Sequence, residues 1–132
     1  MLEPDLSAVH VTRTDGGAGR TGHGVVHHEG FCGPGDVVVR NGVRLIARPR
    51  AALEAAGQGD IEAAVVVLDS ALRSGCTIEE IGAVHDLMRP WPGHRRVDVA
   101  VRLADGRAAS VGESRTRFLC WCQHLPAPQL QF

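Results

Sequence analysis

The sequence predicts an α+β fold, a small N-terminal antiparallel sheet followed by a helical hairpin and further helices. Three observations carry that expectation. Between Val9 and Arg48 the chain is made of β-branched runs broken by glycine-rich turns. After Pro49 the apolar residues recur at helical spacing instead. Asn41-Gly42, set between two β-branched runs, predicts a two-residue hairpin, because a type I′ turn needs positive φ at both central residues.

The strand runs are "AVHVTRT", "GVVHHE" and "DVVVRNGVRLIAR", with "DGGAGRTGHG" and "GFCGPG" as the connecting turns. Ala51 to Ala56 is a short helical stretch that ends at Gln58-Gly59-Asp60. A stronger helix follows from Ile61 to Ser74. Ile61, Val65, Leu68 and Leu72 share one face, and Val66 and Val67 make the other side apolar, the pattern of a helix central in the core. Gly75 stands where a C-terminal cap belongs. Thr77 and Glu80 then form a capping box that opens "TIEEIGAVHDLM", so the two helices are expected to make a tight hairpin. "RRVDVAVRLADG" fits both a strand, with Val97, Val99, Val101 and Leu103 alternating, and a helix, with Val97, Ala100, Val101 and Ala104 on one face. Spacing leaves it open. From Ser110 to Leu125 the pattern is helical. Val111, Phe118, Cys122 and Leu125 are expected to pack, with Glu113, Arg117, Cys120 and His124 opposite.

Composition narrows the function classes. With 132 residues, 44% hydrophobic and 22% charged, the chain has ordinary globular content and room for a modest core. A formal net charge of -1 provides no global attraction to nucleic acid or an anionic membrane, so contact with either needs a local arginine patch. All fourteen basic residues are Arg, and Tyr is absent, a bias that points to a GC-rich, actinobacterial genome. No apolar run reaches membrane-span length, and "MLEPDLSAVHV" lacks the charged and apolar regions of a secretion signal. A cytoplasmic location is expected, with Cys32, Cys76, Cys120 and Cys122 as reduced thiols.

Two segments resemble a known pattern. "SVGESRTRFLCWCQHLPAPQLQ" is similar to the S-x-x-E-S-x-x-R, then L-P-x-P-x-x-Q signature of large actinobacterial proteins that pair an AbiEi-type antitoxin-like region with a very-short-patch-repair-like (PD-(D/E)XK) endonuclease domain. "LIARPRAALEAAGQGDIEAAVVVLDSALRSGCTIEEI" resembles the segment before it, where T-x-P-x-R-T-x-x-D leads to a helix ending D-x-A-L-R. Arg50, Asp69, Ala71, Leu72 and Arg73 agree with that pattern; Ala47 replaces the usual Thr and Glu54 the usual Asp. The resemblance implies an antitoxin-like middle region over 1–109 and the start of a nuclease-like domain over 110–132. It also implies a helix over Arg95 to Ala104.

Members of that family begin with a winged-helix-like segment and continue past the Gln into strands carrying a catalytic Asp and a Glu-x-Asp. The expectation is therefore a truncated, non-catalytic protein acting through DNA or a cognate toxin, the alternatives being a metal-dependent endonuclease remnant and a gene fragment without function. Glu113 would correspond to the helix-borne nuclease carboxylate, and Mg2+ would be needed only on the endonuclease reading. One carboxylate alone binds a hard cation weakly. A solvated Glu113–Arg117 pair at i and i+4 is the plainer expectation. Arg95, Arg96, Arg115 and Arg117 are the candidate nucleic-acid contacts. The C-terminal "PAPQLQF", with Leu130 and Phe132, is expected to start an unpaired strand, frayed or engaged in self-association.

Other constellations carry less chemistry. His23, His27, His28 and Cys32 in "GHGVVHHEGFC" include neighbours that point to opposite faces of a strand, so no metal site is expected there. Cys120 and Cys122 diverge on a helix, Cys122 being expected in the core and Cys120 outside it. "DGGAGRTGHG" lacks the Lys-Ser/Thr of a phosphate loop. "RPWPGHRR" pairs arginines with an aromatic but has the look of a solvated interhelix loop.

Overall fold

A computed structural model describes residues 7–130. Among the described residues the architecture is α+β, five strands followed by five helices. The chain divides into two compact units, 1–45 and 46–132. Among the described residues no helix is long and apolar enough to cross a membrane.

In the first unit β1 (Val9–Arg13), β2 (Arg20–Gly22) and β3 (Val25–Glu29) form a three-stranded sheet in the order β1-β3-β2. β2 and β3 pair antiparallel with Gly22 opposite Val25, which leaves His23-Gly24 as a two-residue turn. Both of its φ angles are positive, 52° and 74°. That turn places β2 on one edge of β3 and leaves the other edge to β1, which pairs in parallel from Val9↔Val25 to Arg13↔Glu29. The sheet is thus mixed, and β2 comes from a stretch that the sequence marks only as a turn. β4 (Val37–Arg40) and β5 (Val43–Ile46) make a separate hairpin, whose Asn41 and Gly42 have φ of 51° and 79°, as a type I′ turn requires. None of these strands buries a side chain.

The second unit is helical. Pro49 lies in the first turn of α1 (Arg48–Gln58), where its missing N–H costs nothing. Asp60 caps α2 (Ile61–Arg73), accepting from the Ala63 N–H at 2.8 Å. Thr77 and Glu80 form the expected capping box at the start of α3 (Ile78–Leu87), at 3.1 and 2.8 Å. α4 (His94–Leu103) is the helix that the resemblance implied. Ser110 caps α5 (Val111–Cys122), and Pro126 to Leu130 continue outside any helix or strand. Phe132, expected in a C-terminal strand, lies outside the described residues.

α2 is the central helix, packed against α1, α4 and α5. Val65 and Leu68, two of the four residues expected on its apolar face, are fully buried, together with Ala64 and Asp69. Leu53 of α1, Ile81 of α3 and Ala100 of α4 close the same core. Small Ala side chains at many of these positions let the helix axes approach.

α5 sits differently from its apolar pattern. Its one fully buried residue is Ser114, and Glu113, Arg117, Phe118 and Cys120 are half-buried beside it. Val111, Cys122 and Leu125, expected inside, are exposed. The inward side is selected by polar bonds that Arg117 makes with α2 and α4.

Candidate functional site

The two segments on which the resemblance rests meet in space. Asp69, on the buried face of α2, accepts from Arg117 Nη1 of α5 at 2.6 Å and from the backbone N–H of Asp105 at 2.7 Å. Arg117 Nη2 also donates to the Leu103 carbonyl at the end of α4. Arg73, four residues beyond Asp69, donates to the Ala108 carbonyl at 2.8 Å. Asp69 and Arg117 are 0% and 11% exposed, so the pair lies in the low-dielectric interior where charge pairing is strongest. Beside it, hydrogen bonds from Arg107 hold the Asp105 carboxyl at about 2, well below the usual carboxylate range.

Glu113 does not pair with Arg117. Its Oε2 accepts from the Ala109 N–H at 2.8 Å, while its own N–H donates to Ser110 Oγ at 3.2 Å. Ser114 Oγ donates to the Ser110 carbonyl at 3.3 Å. The expected solvated i,i+4 pair is replaced because the buried carboxylate of Asp69 offers the Arg117 guanidinium a drier partner. Glu113 is a helix-capping residue here. Among the described residues it joins no group of three potential metal ligands.

The candidate nucleic-acid arginines are dispersed in the roles they take. Arg115 pairs with Glu62 of α2, and Arg96 donates to the Gly59 carbonyl at 3.2 Å. Arg117 is buried, and Arg95 is exposed. In the "RPWPGHRR" segment, Arg89 pairs with Asp86, and the Trp91 ring carries the Arg50 guanidinium 4.4 Å from its centroid. Arg50 in turn bonds Glu54 at 2.7 Å. The aromatic is therefore part of the packing.

The cysteines are free thiols, with Cys76 buried, Cys120 half-buried and Cys122 exposed. The expected placement of Cys120 and Cys122 is reversed, following the orientation of α5. In the first unit His10 and His28 stack at 5.0 Å with ring nitrogens 2.7 Å apart. His28 is thus engaged across the β1–β3 pair.

One constellation escaped the sequence reading. His85, near the end of α3, stacks on His94 of α4 at 4.5 Å, and Asp98 stands one helical turn beyond His94. A ligand atom from each lies within 4.8 Å of the other two. His85 is buried, and burial, reinforced by His94, pushes its pKa below the usual value. The H-x-x-x-D spacing on α4 was the available signal, but only the fold brings His85 to it.

No protein-family model, no curated protein and no solved structure matches this chain.

Proposed function

We propose that this chain is a cytoplasmic, antitoxin-like, nuclease-associated protein that acts by binding a protein partner of toxin type. The observation that carries the reading is the state of α5. Its motif residues Ser110, Glu113, Ser114 and Arg117 are all engaged in capping or packing, while Val111, Leu119, Trp121 and Leu125 remain 47–60% exposed. A helix that turns these polar motif residues inward and leaves these four apolar side chains in solvent is arranged for a protein contact.

A protein partner is favoured over DNA by charge. Residues 46–132 hold ten Arg and ten Asp or Glu. Six of those arginines, Arg50, Arg89, Arg102, Arg107, Arg115 and Arg117, are in ion pairs. Little basic field remains for phosphate contacts.

The test is co-expression with the product of the gene adjacent to this one. The expected result is a complex stable to gel filtration and relief of growth arrest, both lost in the double variant Leu119→Asp, Leu125→Asp. Absence of a complex would defeat the reading. So would Mg2+- or Mn2+-dependent DNA cleavage abolished by Glu113→Gln, or DNA binding that falls steeply with salt and drops in Arg95→Ala, Arg96→Ala.

A further inference from the structure

We propose that His85, His94 and Asp98 form a binding site for a divalent transition-metal ion of the Zn2+ type, which clips the end of α3 to the start of α4. Two independent observations converge on it. The first is placement: a donor atom from each residue lies within 4.8 Å of the other two. The second is an orphaned group. His85 is 7% exposed, and its Nε2 is buried with no hydrogen-bond partner among the described residues. A buried polar nitrogen left unpaired is costly, and native interiors rarely keep one without a ligand, ion or water to satisfy it.

The donor set determines the metal class. Two imidazoles and one carboxylate suit a borderline ion such as Zn2+, whereas Mg2+ and Ca2+ prefer all-oxygen shells. Tetrahedral bonds of about 2.0–2.1 Å bring donors to about 3.3 Å of one another, so the three must draw in by up to about 1.5 Å. Rotation of the two rings out of their 4.5 Å stack is the movement that binding requires. Arg102, one turn on, bonds the Asp98 carboxylate through Oδ2, and a carboxylate has a second oxygen with which to meet an ion. Three protein ligands leave a fourth position for water or for a donor from a bound molecule.

The site closes the loop Met88 to Gly93 between α3 and α4, which contains Trp91 and its Arg50 contact. Metal binding would therefore rigidify that loop, and its energy would appear as folding stability. The site stands apart from the partner reading above. It lies at the start of α4, whereas Arg117 of α5 meets the end of that helix at Leu103, and metal binding is measured without any partner present.

The experiment uses the full chain, stripped with chelator and titrated with Zn2+ by calorimetry and thermal melting, with Co2+ as the spectroscopic probe. Expected are one ion per chain, a melting point raised by about 10 °C when free Zn2+ is a hundred times Kd, and tetrahedral Co2+ bands without a thiolate charge-transfer band. His94→Ala and Asp98→Asn, both at half-exposed positions, should each weaken binding about tenfold or more while keeping the helical circular dichroism of the parent. His28→Ala should change nothing. Absence of binding at millimolar Zn2+ would overturn the proposal. Binding that survives both α4 variants, or that shows thiolate bands or disappears in His28→Ala, would place the metal elsewhere and overturn it equally.

Discussion

Removing Arg117 should destabilise this protein far more than removing an ordinary surface arginine. Asp69 is fully buried and accepts two hydrogen bonds, from Arg117 Nη1 and the Asp105 N–H. In Arg117→Met the carboxylate keeps the backbone bond and loses its counter-charge, and breaking a buried pair from one side costs about 3–5 kcal/mol. Asp69→Asn keeps an acceptor for the Asp105 N–H but takes the charged partner from a guanidinium that is 11% exposed, leaving it the hydrogen bond to the Leu103 carbonyl. That should cost about 1.5–3 kcal/mol, the value of hydrogen bonds to a charged group. The double variant leaves no unpaired charge, so its cost should fall short of the sum by about 2 kcal/mol or more. Urea unfolding followed by far-UV circular dichroism measures all three. Single-variant losses below about 1 kcal/mol, the range of exposed pairs, would refute the assignment. Additivity within about 0.5 kcal/mol would refute the coupling.

Four further outcomes are expected. Leu68→Ala, at a 0% exposed position in the central helix, should lose about 2–5 kcal/mol in the same denaturation assay. Thr77→Ala removes the side-chain half of the α3 capping box and should lose about 1 kcal/mol, with hydrogen exchange rising in the first turn of α3. Asp105 has a folded pKa of about 2 against an ordinary value of 3.8, so its contribution is intact above that ordinary value and is lost as pH falls through about 2. Asp105→Asn should accordingly flatten the stability profile between those limits. Among the thiols Cys122 should react fastest with a disulfide reagent in the native state and Cys76 slowest, since burial both hides the Cys76 thiol and raises its pKa.

What the sequence determined alone is what neighbouring residues decide among themselves. Thr77 and Glu80 are three residues apart, and Asn41-Gly42 is a dipeptide whose turn follows from its own φ preferences. The apolar period of α2 made it central because every face of it needs cover, and it is packed on by three helices. His23-Gly24 is a hairpin of the same local kind, legible in principle, but the glycines around it blur the strand that precedes it.

Tertiary structure decided whatever depends on partners far along the chain. The parallel β1–β3 pairing depends on which edge of β3 its hairpin leaves vacant. The inward side of α5 follows from Arg117 finding Asp69 across 48 residues of sequence, a bond that outweighs the apolar stripe of a short helix lying at one side of the core. His85, His94 and Asp98 likewise converge only once α3 and α4 are packed. Local rules act through backbone geometry over a few residues and can be read in order. Pairing between distant charged groups is set by which of them the packed core leaves without water, and no spacing in the sequence records that.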